Sequence, residues 1–419
     1  MKNRTLRGRV AGITALVAAF ALTAAACSSP SGSSSAGPGG NASGRAAGEP
    51  INIALVYPTS GVWTTQGTNS MNGAKLAIND INVAGGVLGG RKLVAQTADA
   101  GNDPQSAASA AKRLIQSSNP SALVGAYLSS YTLTVSTVAE QAKVADITQS
   151  FTDELVSRGY KYTFKTTPTA SDFSRAAFEY LVGMFKAAGK PLPKVAILAS
   201  DDASGQQQYK AAAAAAPKAG FDLVLSEQYP ANITDTTSLV NRIKSATPDL
   251  LLLNGPDLAE IQIIKSLRAQ GYTAPIVGLG GAGVMTQNFA DALGKNADGT
   301  LATVAWNGDL SDKAKDIEQA YLKEYGGTFM PGESGTAYVG VWLAAKAIDK
   351  AGSADPQKVA DALRTLNVSD GPAAIFPGGT IAFDERGLNE KSFPLMVQYQ
   401  DGKPVTVWPQ NSAKAKPKL

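Results

Sequence analysis

From Ile51 onward the chain keeps one rhythm: a short apolar run, a loop, then a longer segment with helical spacing of its apolar residues. INIALVY, KLVAQTAD, SALVGAY and VADITQS read as strands, and AKLAINDINVAGG, DPQSAASAAKRLIQS and TLTVSTVAEQAK as helices between them. The first of these helices ends in glycines, which suit a left-handed cap, and Asp103-Pro104 suits a helix start. TSGVWTTQGTNSMNG, ahead of the first helix, reads as a loop. The rhythm restarts at SDFSRAAFEYLVGMFKAAG and KVAILAS and runs on to APIVGLGG. Strands alternating with helices imply parallel sheets covered by helices. The roughly 370 residues that carry this pattern exceed one ordinary core and predict two doubly wound α/β lobes. In such sheets ligands sit beyond the carboxyl ends of the strands. That singles out the loops after Val56, Val124, Ile147, Leu198, Leu253 and Val277.

The residue inventory removes whole classes of chemistry. There is no histidine, and Cys27 is the single cysteine. Disulfides, thiol catalysis, histidine acid–base work and the common zinc ligand sets are therefore excluded from the body. No G-x-x-x-x-G-K-[ST] phosphate loop and no G-x-S-x-G nucleophile elbow occurs. No cofactor is implied.

The N-terminus reads as an export signal. Lys2, Arg4, Arg7 and Arg9 precede an apolar run from Ala11 to Ala26 that falls short of a membrane span. The run ends at Ala24-Ala25-Ala26-Cys27, which resembles the lipobox of bacterial lipoproteins, with Ala24 where that motif usually has Leu. Lipidation at Cys27 is the expectation, since two acyl chains hold a protein stably at a membrane. Residues 1–26 are then a signal peptide and 27–49 a lipidated Cys with a flexible Gly/Ser linker. Removing the four basic signal residues from the 38 in the chain leaves basic and acidic residues balanced, at 34 acidic. A neutral body argues against a nucleic-acid partner. The basic ending AKAKPKL reads as a frayed end.

Three motifs carry competing readings. Gly278-Leu279-Gly280-Gly281-Ala282-Gly283 fits a dinucleotide loop, but no acidic residue follows at the required spacing, and a glycine loop that admits a ligand to the backbone fits as well. Asp201-Asp202 is either an acid–base or metal-binding pair or part of a solvated loop. Ser129 and Ser130 follow a strand and open a helix, so they offer an anion site, a helix cap, or both.

INIALVYPTSG, MNGAKLAINDINVAGGVLGGRKL, DPQSAASAAKRLI, LVGAYLSS, FDERG and DGKPVTVWP together resemble the solute-binding proteins of branched-chain amino-acid ABC transporters. The resemblance runs from about Ile51 to Pro409. It implies the type I periplasmic-binding-protein fold: two doubly wound α/β lobes joined by a three-segment hinge near Thr166–Pro168, Val304–Gly308 and Asp384–Asn389. On this reading 50–167 with 304–384 form one lobe, 168–303 with 385–410 the other, and 411–419 a tail. The ligand-binding positions carry over to Ser129 and Ser130, to Gln149, Ser150 and Phe151, and to Gln66 with Trp63 nearby. In the second lobe they fall on Ser204, on Pro256 or Asp257, and on Ala282. The family's acid for a ligand ammonium would be at Ala282, so Asp257 is expected to replace it, or the ligand lacks an ammonium. The implied function is capture of a small polar solute, an amino acid or a related carboxylate or amide, by lobe closure. The implied partners are an ABC permease with its ATPase subunits, and the protein is expected to be a monomer. A sensor of the same fold and, further off, an exported enzyme are the competing classes.

Overall fold

The computed structural model describes residues 48–281 and 283–419, without the side chains of Ala203 and Ser204. The expected signal, the linker, Cys27 and Ala282 thus lie outside the described residues, as does the side chain of Ser204. Among the described residues no helix is long and apolar enough to cross a membrane.

The first sheet is built from β1 (Ile51–Tyr57), β2 (Leu93–Asp99), β3 (Ala122–Gly125), β4 (Ala145–Thr148) and β5 (Thr163–Lys165). All its pairings are parallel, in the order β2-β1-β3-β4-β5. Helices α1 (Thr64–Val83), α2 (Pro104–Ser118) and α3 (Ser129–Ala142) make the crossovers. Alternate residues of β1 enter opposite cores, as strand pleating requires. Ile53, Leu55 and Tyr57 pack towards α1, whereas Ala54 and Val56 pack towards α2 and α3.

The second lobe follows through α4 (Ala170–Ala187), β6 (Lys194–Ser200), α5 (Ala203–Lys218), β7 (Asp222–Tyr229), α6 (Thr237–Ala246), β8 (Leu250–Asn254), α7 (Asp257–Ala269), β9 (Ile276–Gly278), α8 (Gln287–Leu293) and β10 (Leu301–Val304). The chain then returns. Ala314, Ile317 and Tyr321 of α9 (Asp312–Tyr325), most of α10 (Gly332–Ala351) and Val359 and Leu363 of α11 (Pro356–Arg364) complete the first lobe's core. A small hairpin, β11 (Asn367–Val368) and β12 (Ile381–Ala382), precedes β13 (Leu395–Gln400) and β14 (Lys403–Trp408). These last two add antiparallel strands to the second sheet, ordered β14-β13-β10-β9-β8-β6-β7.

The chain therefore crosses between lobes three times, and two crossings are bonded to each other. Lys165 N–H donates to Gly387 O at 2.7 Å, Asn389 N–H to Lys165 O at 2.9 Å, and the Asn389 side-chain amide to Thr166 O at 3.1 Å. The Lys165 ammonium is fully buried beneath them. It donates to the Ser150 carbonyl, to Thr167 Oγ1 at 3.2 Å and to Pro168 O at 2.8 Å. Burial pushes its pKa down to about 7, against the pull of Asp153 and Asp172.

Two expectations are corrected. The segment from Thr64 to Gly73, read as loop, is the first half of α1. Its polar and glycine-rich composition hides a tertiary fit: a Cβ on Gly67 would lie 1.8 Å from Pro58 O, and one on Gly73 2.0 Å from Ser334 O. The ending read as frayed is hydrogen-bonded to the second lobe. Lys414 N–H donates to Thr406 O at 2.7 Å and Lys418 N–H to Gln398 Oε1 at 2.8 Å, because the tail runs beside the outer β13–β14 hairpin.

Candidate functional site

Between the lobes, at the carboxyl ends of the strands, lies a cleft in two connected chambers. The larger, about 470 Å³ counted out into its solvent-open mouth, includes Trp63, Ser129, Gln208 and Asn254; the smaller, about 360 Å³ counted the same way, includes Gly281, Met285, Glu333 and Thr336. Tyr127, Gln149, Phe151 and Gly280 border both. Each lobe thus supplies one wall, and residues beside the crossings, Ala170, Val304 and Ala305, close the back.

The walls are local consequences of strand-to-helix turns. Tyr127 ends the β3 turn with φ of 71°, a left-handed conformation costly for a bulky side chain. That conformation sets its ring in the cleft, 6.4 Å from the Trp63 ring. Phe151 follows β4 and packs against Phe173 of α4 at 4.3 Å. Gly280 and Gly281 follow β9 with φ of 72° and 79°. A Cβ on Gly280 would meet the Phe151 ring at 2.8 Å, so glycine is required for the backbone to reach the cleft.

The predicted residues divide cleanly. Trp63, Ser129, Gln149 and Phe151 line the cleft. Ser150 stands behind it, its Oγ donating to Ser129 Oγ at 3.3 Å. Ser130, the second residue of α3, is half-buried and does not border the cleft. Ser129 is the first residue of α3, with Leu128 in the cap position, so the helix N-terminus faces the larger chamber. Gln66 is buried within α1, and neither amide atom has a hydrogen-bond partner. Asp257 is fully buried at the start of α7, behind the glycine loop: a Cβ on Gly283 would lie 2.5 Å from its Cα. Its Oδ2 accepts from Asn288 Nδ2 at 2.9 Å.

The dinucleotide reading of the glycine loop finds no helix directly behind it. A single helical turn, Gly283–Met285, precedes α8, and the glycines serve close approach to the cleft. Asp202 caps α5, accepting from Gly205 N–H at 3.0 Å, while Asp201 Oδ1 accepts from Ala231 N–H at 3.2 Å in the loop after β7. Among the described residues no group of three His, Cys, Asp or Glu side chains is placed to hold a metal ion.

Sequence reasoning missed Tyr127, Gln207, Gln208, Asn254 and Glu333. Asn254 sits where the strand-end rule points, directly after Leu253. Tyr127 adjoins the serine pair. Glu333 carried no local signal, because only the chain's return into the first lobe brings the start of α10 to the cleft.

Carboxyl groups dominate the electrostatics. Burial raises the Glu333 pKa to about 7; a hydrogen bond from Asn69 lowers it and the charge of Asp257 raises it again. Glu260, fully buried beside Asp257, is pushed well above the carboxylate range by burial and then by Asp257. The N–H groups of Val284, Gly255 and Gly283 temper this, but none makes an aligned hydrogen bond to either oxygen. The Tyr127 phenol is raised by burial and by the charges of Glu333, Glu260, Asp257 and Asp202.

Two α/β lobes around a cleft built from both walls are the architecture of a protein that binds a small molecule. A family model described as periplasmic binding protein matches residues 50–403, and the chain belongs to that family. It is 30% identical over 375 residues to Leu/Ile/Val-binding protein homolog 8 of Brucella melitensis biotype 1, covering 87% of this chain and 92% of that one. To homolog 7 of Brucella suis biovar 1 it is 32% identical over 373 residues, with the same coverage. Two solved structures share the fold. One is the branched-chain amino acid transporter substrate-binding protein LivJ from Streptococcus pneumoniae in complex with isoleucine: TM-score 0.73, 24% identity, covering 85% of this chain and 97% of that one. The other is a solute-binding protein of an ABC transporter from Rhodopseudomonas palustris BisB5 in complex with 3,4-dihydroxybenzoic acid: TM-score 0.72, 23% identity, covering 84% and 94%. The type I periplasmic-binding-protein fold expected from the sequence is the fold observed.

Proposed function

We propose that this chain is the extracytoplasmic solute-binding lipoprotein of an ABC importer, taking a small carboxylate-bearing solute such as an amino acid and passing it to a membrane permease. The observation that carries this reading is the cleft itself. Aromatic rings from the first lobe face carboxamides from the second, and the N-terminus of α3 with Ser129 opens into the larger chamber. Backbone N–H groups and the helix dipole there favour an anion. Isoleucine and dihydroxybenzoate, the ligands named for the two similar structures, share a carboxyl group. Contacts made only when the second wall arrives shift the population towards the closed form. A closed form of this kind is what a permease would recognise. The balanced body, the export signal and Cys27 support delivery from a membrane tether.

Thermal unfolding of the full chain in detergent, against a panel of amino acids, amides, carboxylates and sugars, tests the reading. A cognate ligand at about a thousand times its Kd adds about 4 kcal/mol to stability. A shift with a carboxylate-bearing class is expected. A panel without any shift, or steady chemical turnover of a panel member, would overturn the proposal. Separately, Cys27→Ala is expected to move the protein from the membrane fraction to the soluble one. Full membrane retention of that variant would remove the lipid anchor from the account.

A further inference from the structure

Three buried carboxamides border the cleft, and two of them are engaged within the protein. Gln149 Nε2 donates to Ser70 Oγ at 2.9 Å and to Glu333 O at 3.3 Å, and Asn254 Nδ2 donates to Leu279 O at 2.7 Å. Gln208 differs. It stands on the second turn of α5, borders the larger chamber and is only 4% exposed. Its Oε1 accepts from the buried Ser174 Oγ of α4 at 3.4 Å, while its Nε2 is buried without any acceptor. An amide N–H₂ taken out of water and left unpaired costs more stability than a typical made hydrogen bond contributes. The group therefore calls for a partner from outside the chain.

The surroundings put that partner in the cleft. A Cβ on Gly280 would stand 3.2 Å from Gln208 Nε2 and 2.8 Å from the Phe151 ring. Amide nitrogen, glycine and ring thus meet at one spot, and all three residues border the larger chamber. With no side chain at 280, the front of the amide stays clear. Helix α5 packs near α3 of the first lobe, so Gln208 comes to the solute with the second wall. We propose that Gln208 is the residue by which the second lobe recognises the solute. On closure its Nε2 donates to an acceptor oxygen of the ligand, a carboxylate or carbonyl oxygen, and Ser174 holds the amide in that orientation. A protonated amine offers this donor nothing. The inference deepens the solute-binding reading above and rests on it.

Two variants of the full chain test this by titration calorimetry at pH 8, with L-isoleucine and 3,4-dihydroxybenzoate, the ligands named for the two similar structures, as probes. Gln208→Glu keeps the shape and puts an acceptor where the donor was. It is expected to weaken the probe that the wild type takes by at least about tenfold. Affinity equal to wild type would mean that water, not solute, meets the amide, and tighter binding would mean that the amide carbonyl faces the solute. Either result overturns the inference and leaves the solute-binding reading intact. Ser174→Ala/Gln208→Met replaces the pair by apolar groups of similar shape. It is expected to weaken the same probe about tenfold, yet without ligand to melt at the wild-type midpoint or up to about 4 °C above it, because an unpaired buried donor is gone. A midpoint more than about 2 °C below wild type, or a double variant that does not fold, marks the pair as structural support and also overturns the inference. If the wild type takes neither probe, the same comparison is made by thermal shift with the panel member that moves it most. A panel without any shift sinks this inference together with the reading it rests on.

Discussion

Gly73→Ala is expected to lower the thermal midpoint by about 10 °C, because a single methyl group has no place between α1 and α10. A Cβ at this position would lie 2.0 Å from Ser334 O, 2.6 Å from its carbonyl carbon and 2.7 Å from its Cα. All three are backbone atoms, so no rotamer change relieves the clash and the helices must separate. Overpacking of well-filled cores costs about 1–3 kcal/mol, and a backbone obstruction belongs at the upper end. Taking the first lobe, about 200 residues, as the unfolding unit, each kcal/mol moves the midpoint by about 2–4 °C. The same contact carries function. Ser334 Oγ donates to Asn69 O at 2.8 Å, and Asn69 Nδ2 holds Glu333 Oε1. Weakened ligand binding should therefore accompany the loss of stability. Circular dichroism melting checks the first effect, and a midpoint within 2 °C of wild type, about 1 kcal/mol or less, would show that the helices have room to spare.

Lys165→Ala is expected to cost about 2–5 kcal/mol, the range for truncating a long, fully buried side chain to alanine. The ammonium ties the Ser150 carbonyl of the first lobe to Thr167 and Pro168 on the first crossing. Truncation empties a fully buried site and leaves the Pro168 carbonyl without its donor. The pH dependence has a definite sign. The folded-state pKa of about 7 lies below the unfolded value near 10.4, so between them the unfolded chain binds more protons. This group's contribution to stability therefore rises with pH from about 7 to about 10. Glu333 acts oppositely and lower: its pKa is raised from 4.5 to about 7, so its contribution is full below pH 4.5 and lost as pH rises through 7. Denaturant unfolding of wild type and Lys165→Met across pH 6–10 separates the two. The rise above pH 7 should be shallower in Lys165→Met; an equal slope in both proteins would mean that Lys165 is not the titrating group.

The fold class was legible because it rests on periodicity. Alternation of apolar runs with helical segments survives without any knowledge of contacts; the strand-end rule singled out the right loops, and the family resemblance placed Trp63, Ser129, Gln149 and Phe151 in them, all of which line the cleft. What misled was local composition. Thr64–Gly73 reads as loop because its threonines, glycines and asparagines are poor helix formers. They form a helix because glycine lets α1 approach Pro58 and Ser334 closely. Tertiary packing overrode propensity at the place where two backbones nearly touch.

The sequence by itself determined the two-lobed architecture and the absence of histidine and of a second cysteine, since these depend on pattern and inventory alone. Only the tertiary structure decided which groups meet in the cleft. Asp257, the acid expected to stand in for the one missing at Ala282, is withdrawn behind Gly283, while Glu333, nearly 80 residues further along the chain, comes to the cleft wall on α10. The physical reason is that the chain leaves the second lobe after β10 and returns to complete the first lobe's core with α9 and α10. Burying that apolar surface places the first turn of α10 at the cleft, and no local pattern in the sequence encodes that position.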